Sequence, residues 1–419
     1  MRLLNTIMAL AAATVVAATG PARADEVLVS AGQSVQGAIE AAAPNAVVRL
    51  GPGLHEGPLV IDKPLSLVGA ADARLEGPGT GSVITVNVSD VRIEGLDITG
   101  SGIDLPAMDS AILVKRTAER AVISGNRLTG NLFGVYLHGA ASSLVENNVI
   151  VGRDDLRTAE AGNGVSIWNA PGAQVVGNTI SQGRDGIFVN VSKDNVFADN
   201  TFTDLRFAIH YMYTNDSQVT GNRSQGNHVG WAIMFSNNLE IRDNVSIDDR
   251  DHGLMLNTTN RSEITGNTVR GGGEKCLFMY NANQNVLAGN RFESCPIGIH
   301  FTAGSEGNVV TGNGFIANRT QVKYVGTRYL DWAHEGRGNY WSDNPAFDLD
   351  GDGIAERPYR PNDVMDEVLW TLPQAKVLIN SPAVQIVRWS QSRFPALFPG
   401  GVVDTAPLMQ PPAAAKDPS

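Results

Sequence analysis

Nine asparagines recur through the middle of this 419-residue chain at a nearly constant interval, at positions 126, 148, 178, 200, 222, 244, 267, 290 and 313. The spacing is 22 or 23 residues throughout, apart from a single step of 30. Three residues before each asparagine the side chain is apolar: Ile123, Val145, Val175, Phe197, Val219, Ile241, Ile264, Leu287 and Val310. Two residues after it an apolar residue is again usual, with Ser224 and Ser246 as exceptions. A third apolar segment completes each period: GVYLH from 134, GVSIW from 164, GIFVN from 186, AIHYM from 208, AIMFS from 232, GLMLN from 253, CLFMY from 276 and GIHFT from 298. Three short strands leave no room for a helix in so brief a repeat, and a propeller blade needs about 40 residues. The pattern predicts an all-β fold, a right-handed parallel β-helix whose coils stack ~4.8 Å apart. Asparagine suits the turn because it tolerates left-handed backbone angles and its amide can bond to the coils on either side. Roughly ten coils are expected between residues 59 and 341, a rod of ~50 Å.

Residues 1–24 combine an early Arg2, an apolar run and the small-x-small triplet Ala22-Arg23-Ala24. They are expected to be a secretory signal peptide cleaved after Ala24. The remainder carries 30 Lys and Arg against 43 Asp and Glu, a net charge of −13 with no basic cluster, which argues against nucleic acid and anionic membrane surfaces as partners. Residues 25–58 are expected to form an N-terminal cap, with the amphipathic stretch SVQGAIEAAA (34–43) closing the first coil. An acidic loop follows the solenoid over 342–363, and a docking tail over 364–419. Insertions at 101–110 and 152–163 precede the third strand of their coils and should protrude from one corner, a candidate docking site. The two cysteines, Cys276 and Cys295, lie 19 residues apart, less than one coil. A disulfide, free thiols and a metal-binding pair all remain open for them.

If the second and fourth residues of the third strand point inward, the third and fifth point out. The third positions are then Tyr136, Ser166, Phe188, His210, Met234, Met255, Phe278 and His300. The fifth are His138, Trp168, Asn190, Met212, Ser236, Asn257, Tyr280 and Thr302. A sheet face in water normally carries serine, threonine and charge. A stripe of aromatic, histidine and methionine side chains has three explanations: a covering segment of the C-terminal chain, a protein-docking face, or metal chemistry. Thioether and imidazole donors favour copper. On that reading His210, Met212, Met234 and Met255, with His300 and His138, are the copper candidates, and Trp168, Phe188 and Tyr280 are docking candidates.

Asp348, Asp350 and Asp352 with Gly353 match the opening of a calcium loop. Ile354 would supply a carbonyl and Glu356 a carboxylate, although Tyr359 stands where an EF-hand has its bidentate glutamate. Parallel β-helices also include enzymes that cut or epimerise acidic polysaccharides. Such chemistry needs converging carboxylates, and the nearest cluster is Asp248, Asp249, Asp251 and His252, on a turn.

The passage GPGLHEGPLVIDKPLSLVGA (51–70) resembles the opening of pectin-lyase-like β-helices. The segments GNYWSDNPAFDLDGDGIAERPYRPNDVMDEVLW (338–370) and SPAVQIVRWSQSRFPALFPGGVVDTAPLM (381–409) resemble the C-terminal signature of the NosD family, periplasmic accessory proteins of nitrous oxide reductase maturation. The resemblance implies a non-enzymatic, periplasmic part of an ABC-type complex with the ATPase NosF and the membrane subunit NosY. It further implies copper received from the chaperone NosL and passed toward the reductase's copper centres. The apolar residues Trp389, Phe394 and Phe398 are expected to attach the tail to the membrane subunit. A polysaccharide lyase or epimerase is the alternative reading.

Overall fold

The computed structural model describes residues 25–415 apart from 327, 364, 367, 369–371, 379–380 and 395–399. The expected signal peptide with its cleavage point, and Phe398, lie outside the described residues. Each coil contributes one strand to each of three parallel sheets. In the coil that carries Asn126 these are Val122–Ser124, Arg127–Thr129 and Phe133–His138. The three sheets hold thirteen, thirteen and twelve strands respectively. Equivalent residues pair in register: Ile123 lies on Val145, Val145 on Val175, and Val175 on Phe197. These side chains, with Ile150, Ile180 and Phe202 from the second sheet, fill the bore and are essentially inaccessible. Each such burial contributes ~1.5–3 kcal/mol, which is why the apolar positions repeat so strictly.

The corner between the first and second sheets explains the asparagines. The left-handed turn falls one residue ahead of each, on Gly125 (φ 62°), Asp199 (φ 54°), Gly221 (φ 63°) or Asp243 (φ 55°). The ladder asparagines themselves turn inward and are buried. In Asn222 the side-chain Nδ2 donates to Asn244 Oδ1 (3.0 Å) and to the Phe197 carbonyl (2.8 Å). Its Oδ1 accepts from the backbone N–H and the amide of Asn200 (both 3.0 Å). The same pattern runs unbroken from Asn126 to Asn313 and on to Asn339, one rung beyond the nine read from the sequence. A second, less regular column at the next corner includes Asn131, Asn227, Asp249 and Asn318.

The solenoid is longer than its asparagines indicate. Glu26–Val29 and Val47–Leu50 already pair as the first two strands of the first sheet, inside the segment expected to form the N-terminal cap. Helix α1 (Val35–Ala41) lies between them, capped by the Ser34 side chain and burying Val35 and Ile39. These early coils carry no asparagine at the corner, so ten coils were expected where the described residues make about fourteen turns, a rod of ~60 Å.

At the far end the chain closes its own solenoid. Gly401–Val403 pairs with Tyr329–Asp331. Asp404 is then fully buried and its Oδ2 accepts from the Asn339 N–H (2.6 Å) and the Trp341 indole N–H (2.8 Å). All amides of the ladder donate in one direction, so its last free donors meet a carboxylate, as at a capped helix N-terminus. Burial pushes the Asp404 pKa up against these hydrogen bonds. Trp341 stacks between Phe315 (4.4 Å) and Tyr359 (5.0 Å) and plugs the bore. Helix α2 (Pro382–Arg393) opens on an Ser381 cap. No helix among the described residues is long and apolar enough to cross a membrane.

Cys276 and Cys295 are joined in a disulfide with their Cα atoms 5.6 Å apart. Cys295 stands in the second corner column on the coil after Gly272, where a Cβ would meet its sulfur at 3.3 Å. The missing side chain leaves the room that a count of residues per coil does not reveal.

Candidate functional site

The outer face of the third sheet resolves into two rows. One runs Tyr136, Ser166, Phe188, His210, Ala232, Met255, Phe278, His300. The other runs His138, Trp168, Asn190, Met212, Met234, Asn257, Tyr280. This corrects the expected register at one place. Met234 pairs with Met212 rather than following His210 in its row, because the strand opens at Val229 opposite Phe207, so that Ala232 takes the third position. Ser236 therefore falls past the strand, where it is buried and bonds to Thr214 N–H (3.1 Å).

The corrected register arranges the candidates around Ala232. Around Ala232, His210 lies one coil below and Met255 one coil above, each ~4.8 Å along the stack. Met234 is two residues along the same strand, and Met212 is its paired neighbour. Three methionines and one histidine thus hold register positions around a single small residue, with His210 and Met255 two coils apart. His138 and His300 do not join them: His138 stacks on Trp168 (4.7 Å) four coils before Ala232, and His300 packs on Phe278 (5.0 Å) three coils after it. Burial, then the nearby charges of Lys323, Lys275 and His252, lower the His300 pKa to about 4 and keep it neutral.

His210 is not the exposed residue that the alternation implies; only 8% of it is accessible. Phe188 and Phe207 pack against its ring, each at 5.0 Å. Its Nδ1 bonds to Asp185 Oδ2 (3.0 Å), and Arg206 forms a paired contact with the same carboxylate (2.8 and 2.6 Å). Burial raises the Asp185 pKa, but the bonds from His210 and Arg206 outweigh it and leave it lowered. A carboxylate on Nδ1 fixes the ring and leaves Nε2 as its donor atom, the arrangement that metal-binding histidines use. Sequence reasoning missed Asp185 and Arg206. The sign was available, since both precede the third strands of adjacent coils.

The flank of this patch is strained. Val191, Tyr213 and Phe235 occupy one corner on successive coils, all with positive φ (53°, 50° and 50°) and all exposed. Branched and aromatic residues avoid that region, and such outliers gather at functional sites. Tyr213 and Phe235 stack at 5.1 Å beside the two methionines that precede them in sequence. Among the docking candidates, Trp168 and Tyr280 are exposed and Phe188 is half-buried. On α2 and at its end, Trp389 and Phe394 are each 60% exposed.

In the acidic loop, donor oxygens of Asp348, Asp350 and Glu356 lie within 4.8 Å of one another. Asp352 turns to the Ile354 N–H (2.8 Å), and Ile354 pairs with Leu408 of the closing segment. Of the cluster weighed for catalysis, Asp249 is buried, accepting from Ser224, Ser246 and the Asn227 N–H, while Asp248 sits on a turn with φ 52°. Their carboxylates do not converge on one open surface.

Residues 146–346 match the family model described as periplasmic copper-binding protein, NosD. A relative from Pseudomonas aeruginosa, a probable ABC transporter binding protein NosD, is 41% identical over 87% of this chain and 88% of its own length. One of the same description from Stutzerimonas stutzeri is 38% identical over 87% of each. Among solved structures, the A-module of a mannuronan C-5 epimerase from Azotobacter vinelandii superposes with a TM-score of 0.56, at 13% identity over 70% of this chain and 91% of its own. That degree of likeness concerns the fold alone.

Proposed function

The chain belongs to the NosD family, and from that premise we propose that it is a periplasmic, non-enzymatic copper-handling component of an ABC-type transporter. In this reading it works with the membrane subunit NosY and the ATPase NosF, takes copper from NosL, and serves assembly of the copper centres of nitrous oxide reductase. The observation that carries it is the donor set around Ala232: Met212, Met234 and Met255 with the Nε2 of an Asp185-anchored His210. Two or three thioethers with one imidazole suit Cu(I), and without a thiolate they hold it exchangeably. The residues present fit a transient ion better than a resident one. Copper here is cargo.

Exposed Trp168, Tyr280, Trp389 and Phe394 would meet the partners, the last two through the tail and the membrane subunit. Asp348, Asp350 and Glu356 would hold a structural Ca2+ beside the closing segment, which a Ca2+-dependent rise in melting temperature would register.

The test is an anaerobic Cu(I) titration against a chelator. One Cu(I) should bind the mature protein, and Met212→Leu, Met234→Leu and Met255→Leu together should abolish it. A reductase matured beside that triple variant should lack copper. Full copper loading would refute the assignment of the site.

A further inference from the structure

A second cluster of donor atoms lies at the edge where the strands of the third sheet begin, on the coils of Met234 and Met255 and the one after them. His228, Asp251 and Glu274 occupy one position on three successive coils, joined by backbone hydrogen bonds from Asp251 N–H to the His228 carbonyl and from Glu274 N–H to the Asp251 carbonyl (both 2.8 Å). His252 follows Asp251 and is 7% accessible. Asp251 Oδ1 is 2.9 Å from His252 Nδ1, and Asp251 Oδ2 is 3.8 Å from His228 Nε2. A Glu274 oxygen completes a set in which the donor atoms of Asp251, His252 and Glu274 lie within 4.8 Å of one another.

The contact between Asp251 and His252 is the telling one. Both atoms are buried, and although 2.9 Å apart they are too poorly aligned to hydrogen-bond. Buried polar atoms without partners are costly. Two donors so spaced would subtend close to a right angle at an ion ~2.1 Å from each, as in a tetragonal nitrogen-and-oxygen site. A cation is already attracted here: the Lys275 ammonium donates to Glu274 Oε2 (2.8 Å) and lies 3.4 Å from His252 Nε2, over the Phe278 ring.

We propose that His228, Asp251, His252 and Glu274 form a divalent-cation site of imidazole and carboxylate donors, for Cu(II) or Zn(II), in which the Lys275 ammonium stands until the ion displaces it. The site shares no residue with the thioether cluster and takes ions that thioethers do not. Nothing in it depends on the Cu(I) reading.

The experiment is titration of the chelator-stripped mature chain with Zn(II) and with Cu(II) against a competing indicator. One equivalent of either ion should bind. Glu274→Gln, at an exposed side chain, and Asp251→Asn should each weaken binding by at least about 10-fold, since even residues that only orient ligands are worth that much. Lys275→Met should tighten it by a similar factor at neutral pH, the opposite of what loss of a structural ion pair would do. In the Cu(II) resonance spectrum, His228→Asn should remove one nitrogen coupling. The Met212, Met234 and Met255 triple variant should bind Zn(II) unchanged, which separates this site from the other. Equal affinity in wild type and Glu274→Gln, or no gain in Lys275→Met, would overturn the proposal and leave surface adsorption.

Discussion

The corner between the first and second sheets and the outer face of the third are built from the same coils under opposite rules. At the corner, ten consecutive coils repeat one residue with one hydrogen-bond pattern, and every amide atom is used. On the outer face no residue type repeats on adjacent coils except Met212 and Met234. A stack needs cohesion only where neighbouring coils exchange hydrogen bonds and bury apolar surface. Once the corner and the bore supply that, the outer face is free to vary and can carry chemistry.

Substitutions should separate the two regions. Replacing Asn222 by Leu strands the N–H and amide of Asn200 and the Phe197 carbonyl in the interior. It should cost on the order of 4 kcal/mol or prevent folding, read by chemical denaturation. If Asn222→Leu melts near wild type, the ladder is ornament rather than cohesion. Asp249 is an ionisable member of the second column, and burial, against bonds from Ser246 and Ser224, raises its pKa to about 6. A raised carboxyl stabilises below its unfolded pKa near 4, and that contribution is lost as pH climbs through 6. Asp249→Asn should therefore gain roughly 2 kcal/mol at pH 7.5 and little at pH 4, as difference melting curves would record.

The outer face should respond more mildly. The three Met→Leu changes should cost below about 1.5 kcal/mol in all, because shape and burial are kept, while Cu(I) binding disappears. A larger loss of stability would mean that this face, too, is part of the scaffold. The smallest effect is expected at the strained corner. Val191→Gly relieves a positive φ that valine resists and should raise stability by up to about 1 kcal/mol in a thermal melt. An unchanged or lower midpoint would indicate that the exposed valine packs on something that holds it.

Much of this architecture could be read from the chain, and the failures have physical causes. The inward residues three before each asparagine stack as expected because a pleated strand tolerates no slip of one residue without exposing its core. The first coils escaped notice because Leu96 takes the ladder position and its backbone N–H simply donates to Asn126. Met234 falls in the other row because the residue equivalent to Ala208 is Gly230, two positions before the Ala232 from which the segment is read. His210 looked exposed because alternation reports which face a residue is on. It says nothing of what neighbours on that face, here Phe188, Phe207 and Asp185, lay over it. The disulfide was hidden by Gly272, whose contribution is an absence.

The carboxylate that closes the amide ladder belongs to a residue 65 positions downstream of the asparagine it serves. A chain threading outward from its N-terminus stacks coil upon coil as it emerges, each new coil covering the raw edge of the one before. The coil bearing Asn339 and Trp341 has no successor to cover it. Its edge stays open, with unpaired strand groups that invite another chain, until Asp404 has arrived and folded back. Completion of the rod is thus timed by a segment far behind the growing tip, and a chain cut short between 342 and 403 would carry a sound shaft with an adhesive end.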